Sequence, residues 1–210
     1  MDLYQGKRNG FYVEAGALDG IAGSCTYLLE TTLGWSGILV EPGIPYKALS
    51  INRSNNICLN LCLSGKNGPV IFADSENPGL SGIIDALEAL DLRHQQMYRT
   101  PRVQWKEKGF KKKTIQSITL FDLLATYQAP RIVDYLALDV EGSEYDVLKV
   151  FPFNLYQIMA ISIEGDQCHN LLLSNGFRAA KNPFNQDAPW ERYYLHPNFH
   201  NYSDDNASIQ

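Results

Sequence analysis

A chain of 210 residues has the length of one ordinary domain, able to bury roughly 70% of its unfolded surface without disulfide or metal staples. Hydrophobic residues at 45% and charged residues at 20% exclude the polar signature of disorder. Lys+Arg 18 against Asp+Glu 23, a net charge of −5, disfavours general nucleic-acid binding.

The N-terminus lacks the apolar core of a signal peptide, and no stretch approaches the ~20 apolar residues of a membrane span. A soluble chain is expected, either a whole protein or one domain of a longer one. Cys25, Cys58, Cys62 and Cys168 form no C-x-x-C pair, so reduced, buried thiols in a cytoplasmic setting are expected. No feature specifies an oligomeric state.

In chain order, short apolar runs alternate with amphipathic stretches, the pattern of βα units around a parallel sheet. The first strand is expected at 11–15 and the second at 37–41, with Cys25, Leu28, Leu29 and Leu33 at helical spacing between them and Gly34 as a stop. A third strand is expected at 57–63, then a helix at 118–127. The run from Asp134 to Val140 reads as the fourth strand, followed by a helix capped by Ser143 and ended by Pro152. A fifth strand follows at 158–164, then a short helix at 171–175 and two last strands at 177–180 and 192–196. The expectation is an α/β, Rossmann-like, seven-stranded sheet with helices on both faces in a single domain over 1–200, and a polar, frayed tail at 201–210.

Residues 93–113 break this rhythm. Arg93, Arg99, Arg102, Lys106, Lys108 and Lys111 to Lys113 are opposed only by Glu107. The insert reads either as a solvated helix-loop that balances charge or as a lid that attracts an anionic part of a substrate.

Ligands of open α/β sheets gather at the carboxyl ends of the strands. The first strand ends in Glu14-Ala-Gly16-Ala17-Leu18-Asp19-Gly20, whose glycines permit a tight turn, and Glu41 follows at the distance from which an acid takes ribose hydroxyls. The turn lacks the G-x-G-x-x-G of a pyrophosphate cradle, which argues against a dinucleotide-dependent oxidoreductase. Its carboxylates suit instead the amino group and sulfonium of S-adenosylmethionine. The fourth strand delivers Asp139, Glu141 and then Gly142-Ser143-Glu144, and the fifth delivers Glu164-Gly165-Asp166 beside them. Carboxylates crowded at one rim call for a proton, a cation or a metal.

The strings Phe11-Tyr-Val-Glu-Ala-Gly-Ala-Leu-Asp-Gly20, Ser24-Cys-Thr26, Gly34-Trp35, Val40-Glu41-Pro42, Asn52-Arg53 and Leu138-Asp-Val-Glu-Gly-Ser-Glu144 resemble the FkbM-type S-adenosylmethionine-dependent methyltransferases. The likeness runs from about Gly10 to Glu164. Members are implicated in O-methylation of sugar hydroxyls, glycans and macrolides. The chain departs from the family in having Glu14 where Asp is usual and Leu18 where a polar residue is frequent. The resemblance implies that Glu14, Gly16, Ala17, Asp19 and Gly20 hold the methionine and ribose part of the cofactor, with Ser24 and Thr26 as further hydrogen-bonders. It implies that Glu41 and Pro42 flank the ribose, that Asn60 meets the adenine edge, and that Asp139 faces the methyl group.

A sugar hydroxyl needs a general base or a metal to become nucleophilic. Asp139 is the first candidate base, with Glu164, Glu141 and His169 behind it. Asp139 and Glu164, joined by Glu141 or Asp166, are alternatively oxygen ligands for Mg²⁺ or Mn²⁺. The expected activity is O-methylation of a sugar hydroxyl, a deoxysugar such as rhamnose or fucose, on a carbohydrate acceptor. The alternatives are a methyltransferase acting on a non-sugar hydroxyl and a catalytically silent binding module of the same fold.

Overall fold

The computed structural model describes residues 2–98, 110–182 and 190–199. Its main sheet joins β1 (Phe11–Ala15), β2 (Ser36–Val40), β3 (Ile57–Leu59), β8 (Ile132–Leu138), β9 (Gln157–Glu164), β10 (Arg178–Ala180) and β11 (Glu191–Leu195) in the order β10-β11-β9-β8-β1-β2-β3. Neighbours from β3 through β9 run parallel, and β11 inserts antiparallel between β9 and β10. This is the expected Rossmann-like seven-stranded sheet, and its chain reversal between β1 and β8 opens a crevice at their carboxyl ends.

The central strands are buried on both faces because helices cover both. Val13, Ile38, Leu136 and Ile161 pack with Leu123, Leu124, Val147 and Leu148 on one side. Tyr12, Leu39 and Met159 pack with Leu29, Leu33 and Leu49 on the other. The helices responsible are α1 (Tyr27–Leu33), α2 (Tyr46–Asn52), α4 (Leu120–Thr126) and α5 (Glu144–Lys149), with α6 (His169–Ser174) after β9. Gly34 ends α1 in the left-handed region at φ 69°, as its position predicts. Ser143 sits before α5 but makes no capping bond with its side chain. The free N–H groups of Val140 and Gly142 are taken instead by Glu144 Oε1 at 3.0 and 3.1 Å.

Four features correct the sequence reading. The expected third strand at 57–63 is two strands in two sheets. The chain leaves the main sheet after Leu59, whose carbonyl accepts from Glu41 N, and β4 (Cys62–Leu63) pairs with a second sheet of order β4-β7-β5-β6. That sheet, built from β5 (Gly68–Asp74), β6 (Gly82–Ile83) and β7 (Lys111–Ile118), was not anticipated, nor was α3 (Ile84–Tyr98). Lys111 to Lys113, expected in the basic insert, are strand residues opposite Asp74, Ala73 and Phe72; residues 99–109 of the insert lie outside the described residues. The cysteines are free, but only Cys62 and Cys168 are buried, and Cys25 is exposed. The tail at 201–210 also lies outside the described residues. No helix among the described residues is long and apolar enough to cross a membrane.

At the amino end of β8, Asp134 is buried, with Lys7 Nζ 2.7 Å from its carboxylate and Phe11 N donating to it at 2.8 Å. Burial outweighs the Phe11 bond and lifts its pKa from 3.8 to about 6. The folded carboxyl therefore keeps a proton that the unfolded chain has released between those values. Stability contributed by this group is present at low pH and lost as pH rises through about 6. Asp134→Asn removes the dependence. Relative to it, the wild-type chain is expected to lose up to roughly 3 kcal/mol between pH 4 and pH 7 in urea titrations, and parallel pH profiles of the two proteins refute the assignment.

Candidate active site

The crevice holds a pocket of about 610 Å³, its open mouth included, bounded by Gly16 and Leu18 after β1, Val40 to Pro42 at the end of β2, and Asp139 to Glu141 after β8. Its remaining wall comes from Cys62, Leu63, Phe72, Gly82 and Ile83 of the second sheet and from Pro78, Gly79 and Ser81 in the 3-10 turn that leads into β6. Two non-glycine residues of the lining, Leu18 and Glu141, sit in the left-handed region at φ 49° and 52°. Such backbone strain persists only where surrounding contacts hold it.

Glu41 is buried and accepts from two backbone donors, Leu18 N to Oε2 at 2.9 Å and Gly43 N to Oε1 at 2.6 Å, yet burial leaves its pKa raised. Burial raises its pKa, these two bonds and Lys113 lower it, and Asp74 raises it. Lys113 reaches across from β7, its ammonium 2.7 Å from Pro42 O and 2.6 Å from Asp74 Oδ2. One cation of the supposed insert is thus a brace on the loop that carries Glu41. Each carboxylate oxygen of Glu41 retains lone-pair capacity for a hydroxyl donor from the pocket.

On the opposite wall, carboxylate oxygens of Asp139, Glu141 and Glu164 all lie within 4.8 Å of one another. Glu191, which the sequence reading missed, is the cross-strand partner of Glu164, and burial followed by Glu164's charge raises its pKa. Glu144 does not join this cluster as a ligand: it is buried, its second oxygen accepts from Gln167 Nε2 at 3.0 Å, and burial raises its pKa. Asp166, considered beside Glu164, is not in the group, and His169 lies exposed at the start of α6 with Nδ1 3.1 Å from Tyr194 Oη.

The remaining expected cofactor residues form the frame of the turn rather than its lining. Glu14 is buried, and its carboxylate accepts from Cys25 N at 2.7 Å, Ser24 Oγ at 2.9 Å and the Thr26 hydroxyl. Burial raises its pKa despite these bonds. Asp19 accepts from Ile21 N and Ala22 N, closing its own turn, and Ala17 is buried. Gly20, at φ 79°, leaves no room for a Cβ, which would stand 2.5 Å from Arg53 Cγ. Asn60 donates to Glu41 O at 2.9 Å and Pro42 O at 3.2 Å, holding the loop after β2 from behind. The physical reason is common to these residues: a tight βα turn has many unpaired backbone groups, and nearby polar side chains satisfy them first.

Arg53 is the hub of that frame. Its fully buried guanidinium donates to Gly20 O at 2.8 Å, Tyr12 Oη at 2.7 Å, Thr26 Oγ1 at 3.0 Å and Ser24 Oγ at 3.1 Å, and its Nε pairs with Glu30. A basic residue just past α2 carries no local mark of this role, because all its partners lie at least 23 positions away. Phe72 and the glycines near it were missed for a related reason, belonging to an insertion between β3 and β8 whose strands pair across long separations, Gly68 with Ser117 and Cys62 with Ser117.

The pocket's lining has the chemistry to hold a ligand with apolar, hydroxyl and cationic parts, as S-adenosylmethionine has. Val40, Pro42, Leu63 and Phe72 offer apolar wall, Glu41 offers hydroxyl acceptors, and Asp139 with Glu141 offers negative charge. Gly16 admits the close approach the fold requires, since a Cβ there would meet Asp139 O at 2.0 Å.

Comparisons with curated proteins and with solved structures gave no match. The family described as Methyltransferase FkbM domain matches residues 14–178, a span that contains the turn after β1, Glu41, Arg53, the second sheet and the carboxylate cluster. The chain therefore belongs to the FkbM methyltransferase domain family.

Proposed function

We propose that the chain is an S-adenosylmethionine-dependent O-methyltransferase acting on a sugar hydroxyl, with residues 1–200 as its methyltransferase domain. The observation that carries the reading is the meeting, at one crevice, of a buried Glu41 with the carboxylates of Asp139, Glu141 and Glu164 across an apolar-walled pocket. Glu41 would accept the ribose hydroxyls, with Pro42 beside them, and Gly16 and Leu18 would lie against the methionine end. The cofactor, when bound, supplies an electrophilic methyl group. The protein's share is to orient an acceptor hydroxyl and to take its proton, for which Asp139 stands first and Glu164 second. His169 stands outside the carboxylate group and has no part in this assignment.

An all-oxygen cluster also has the donor chemistry of a Mg²⁺ or Mn²⁺ site, where the ion would acidify the hydroxyl in place of a general base. Chelation separates the two: turnover unchanged in excess EDTA assigns the work to the carboxylates, and loss that Mg²⁺ or Mn²⁺ restores assigns it to an ion.

The central test is transfer of labelled methyl from S-adenosylmethionine to a panel of mono- and oligosaccharides that includes rhamnose and fucose glycosides, alongside calorimetric titration of the cofactor. Glu41→Gln turns an amide NH₂ toward the N–H of Leu18 or Gly43, donor against donor. It is expected to weaken cofactor binding by roughly 10- to 100-fold, and unchanged binding removes Glu41 from the cofactor site. A chain that binds no S-adenosylmethionine at all would be a silent binding module of the same fold.

A further inference from the structure

We infer that Glu191 and Tyr193 of β11 hold the acceptor sugar on the side of the sheet that faces α1, binding hydroxyls other than the one methylated and selecting a ring without an anionic group. This rests on the methyltransferase reading above.

Strand register puts both side chains beside the reacting end. Glu191 stands opposite Glu164 on β9, and Tyr193 stands opposite Ser162. Residues two apart on a strand share a face, so Ser162, Glu164, Glu191 and Tyr193 line one side of the sheet. Tyr135 of β8 joins them, its hydroxyl 2.7 Å from Ser162 Oγ, and its ring packs with the core that α1 covers. Asp139 follows at the same alternation just beyond β8. Cys25, in the loop before α1, borders the same space. Burial, then the charges of Glu14, Glu191 and Asp139, lift its thiol to about 12 against a hydrogen bond with the Tyr135 hydroxyl.

Two features of this face point to a polar ligand. First, Glu191 and Tyr193 are half-buried, yet among the described residues neither the carboxylate nor the phenol has a hydrogen-bond partner. Protected polar groups are normally paired, so an open pair within reach of solvent is a place for a ligand's hydroxyls. Burial, followed by the Glu191 and Cys25 charges, raises the Tyr193 phenol to about 12, which keeps it a donor at neutral pH beside the acceptor Glu191. Successive same-face positions lie about 6.8 Å apart along a strand, so the two side chains can bracket one sugar ring. Second, two acids directly opposite on an antiparallel pair work against the sheet, and a local rule broken in this way is expected at a functional site. With Asp139 and Glu141 at the same rim, these acids repel a phosphate or carboxylate on the ring and leave a neutral deoxysugar accepted.

The probes are methyl α-L-rhamnopyranoside and methyl α-L-fucopyranoside, with methyl β-D-glucuronide as the anionic control, titrated into the full chain with S-adenosylhomocysteine and followed by saturation-transfer NMR. The tighter of the two neutral glycosides is expected to bind at least about 10-fold better than the glucuronide. Glu191→Gln and Tyr193→Phe should each weaken that glycoside roughly 3- to 10-fold. KM for the acceptor should rise by the same factor, with kcat and S-adenosylmethionine affinity unchanged. The melting temperature should hold in Tyr193→Phe and hold or rise in Glu191→Gln, which removes the pair of like charges; a merely structural residue would not lose sugar affinity while stability is kept. Neutral glycosides that bind no better than the glucuronide, or affinities equal to wild type in both variants, overturn the inference even where a sugar is methylated. If the neutral preference and its loss in the variants are seen but no methyl group is transferred, Glu191 and Tyr193 stand as sugar ligands and the methyl-transfer reading fails.

Discussion

Asp139→Asn is expected to lower kcat for methyl transfer by about 10²- to 10⁴-fold, the usual share of a positioned general base, with cofactor affinity changed by less than threefold. The side chain is exposed at the rim, so the substitution removes a proton acceptor without opening a cavity. Its backbone continues to hold the turn, because Asp139 N donates to Ala15 O at 3.1 Å whatever the side chain. Glu164→Gln, two strands from β1 but in the same carboxylate group, is expected to cost less, because Asp139 keeps its place. Single-turnover rates with bound cofactor measure both. Near-normal chemistry in Asp139→Asn transfers the base assignment to Glu164, and a collapse of cofactor affinity makes Asp139 a binding residue instead.

The largest effect on stability is expected from Arg53→Met. The guanidinium is completely buried, pairs with Glu30, and lowers the cost of burying Glu14 through its charge. It also lies 5.6 Å from the ring centre of Tyr12 and 5.7 Å from that of Tyr27. Removing one member of a buried charge network leaves the others uncompensated and costs about 3–5 kcal/mol. In a chain of this size that is a fall of roughly 10 °C in melting temperature. Arg53→Lys keeps the charge but lacks the planar fork that serves Gly20, Ser24, Thr26 and Tyr12 together, so it should recover only part of the loss. Calorimetric melting of the three proteins measures this, and a drop under about 2 °C in Arg53→Met shows that the network contributes little.

These two residues also show where local pattern stops informing. Asp139 was legible because the apolar run Tyr135 to Leu138, a strand register and a following Gly142-Ser143 point one carboxylate to the sheet rim. Arg53 was visible only as part of a family string. Nothing in its neighbourhood tells that its donors reach Gly20 and Tyr12, 33 and 41 positions earlier. Glu14 was read as a cofactor contact from its place at a strand end, and the structure turns its carboxylate into the loop, where Cys25, Ser24 and Thr26 consume it.

The sequence by itself determined the main sheet and the family. Runs of β-branched and aliphatic residues set the seven strands, and their ends put Glu41, Asp139, Glu141 and Glu164 on one side of the sheet, because strand direction and crossover handedness follow from local sterics. Tertiary structure alone decided which of these acids share a site and what closes it. Lys113 meets Pro42 across 71 positions, Cys62 pairs with Ser117, and Phe72 and Ile83 in the pocket wall belong to a second sheet held by pairings as distant as Gly68 with Ser117. A side chain's partner is set by whichever distant group the completed fold brings within hydrogen-bonding reach, a choice made by long-range packing and electrostatics that no local periodicity encodes.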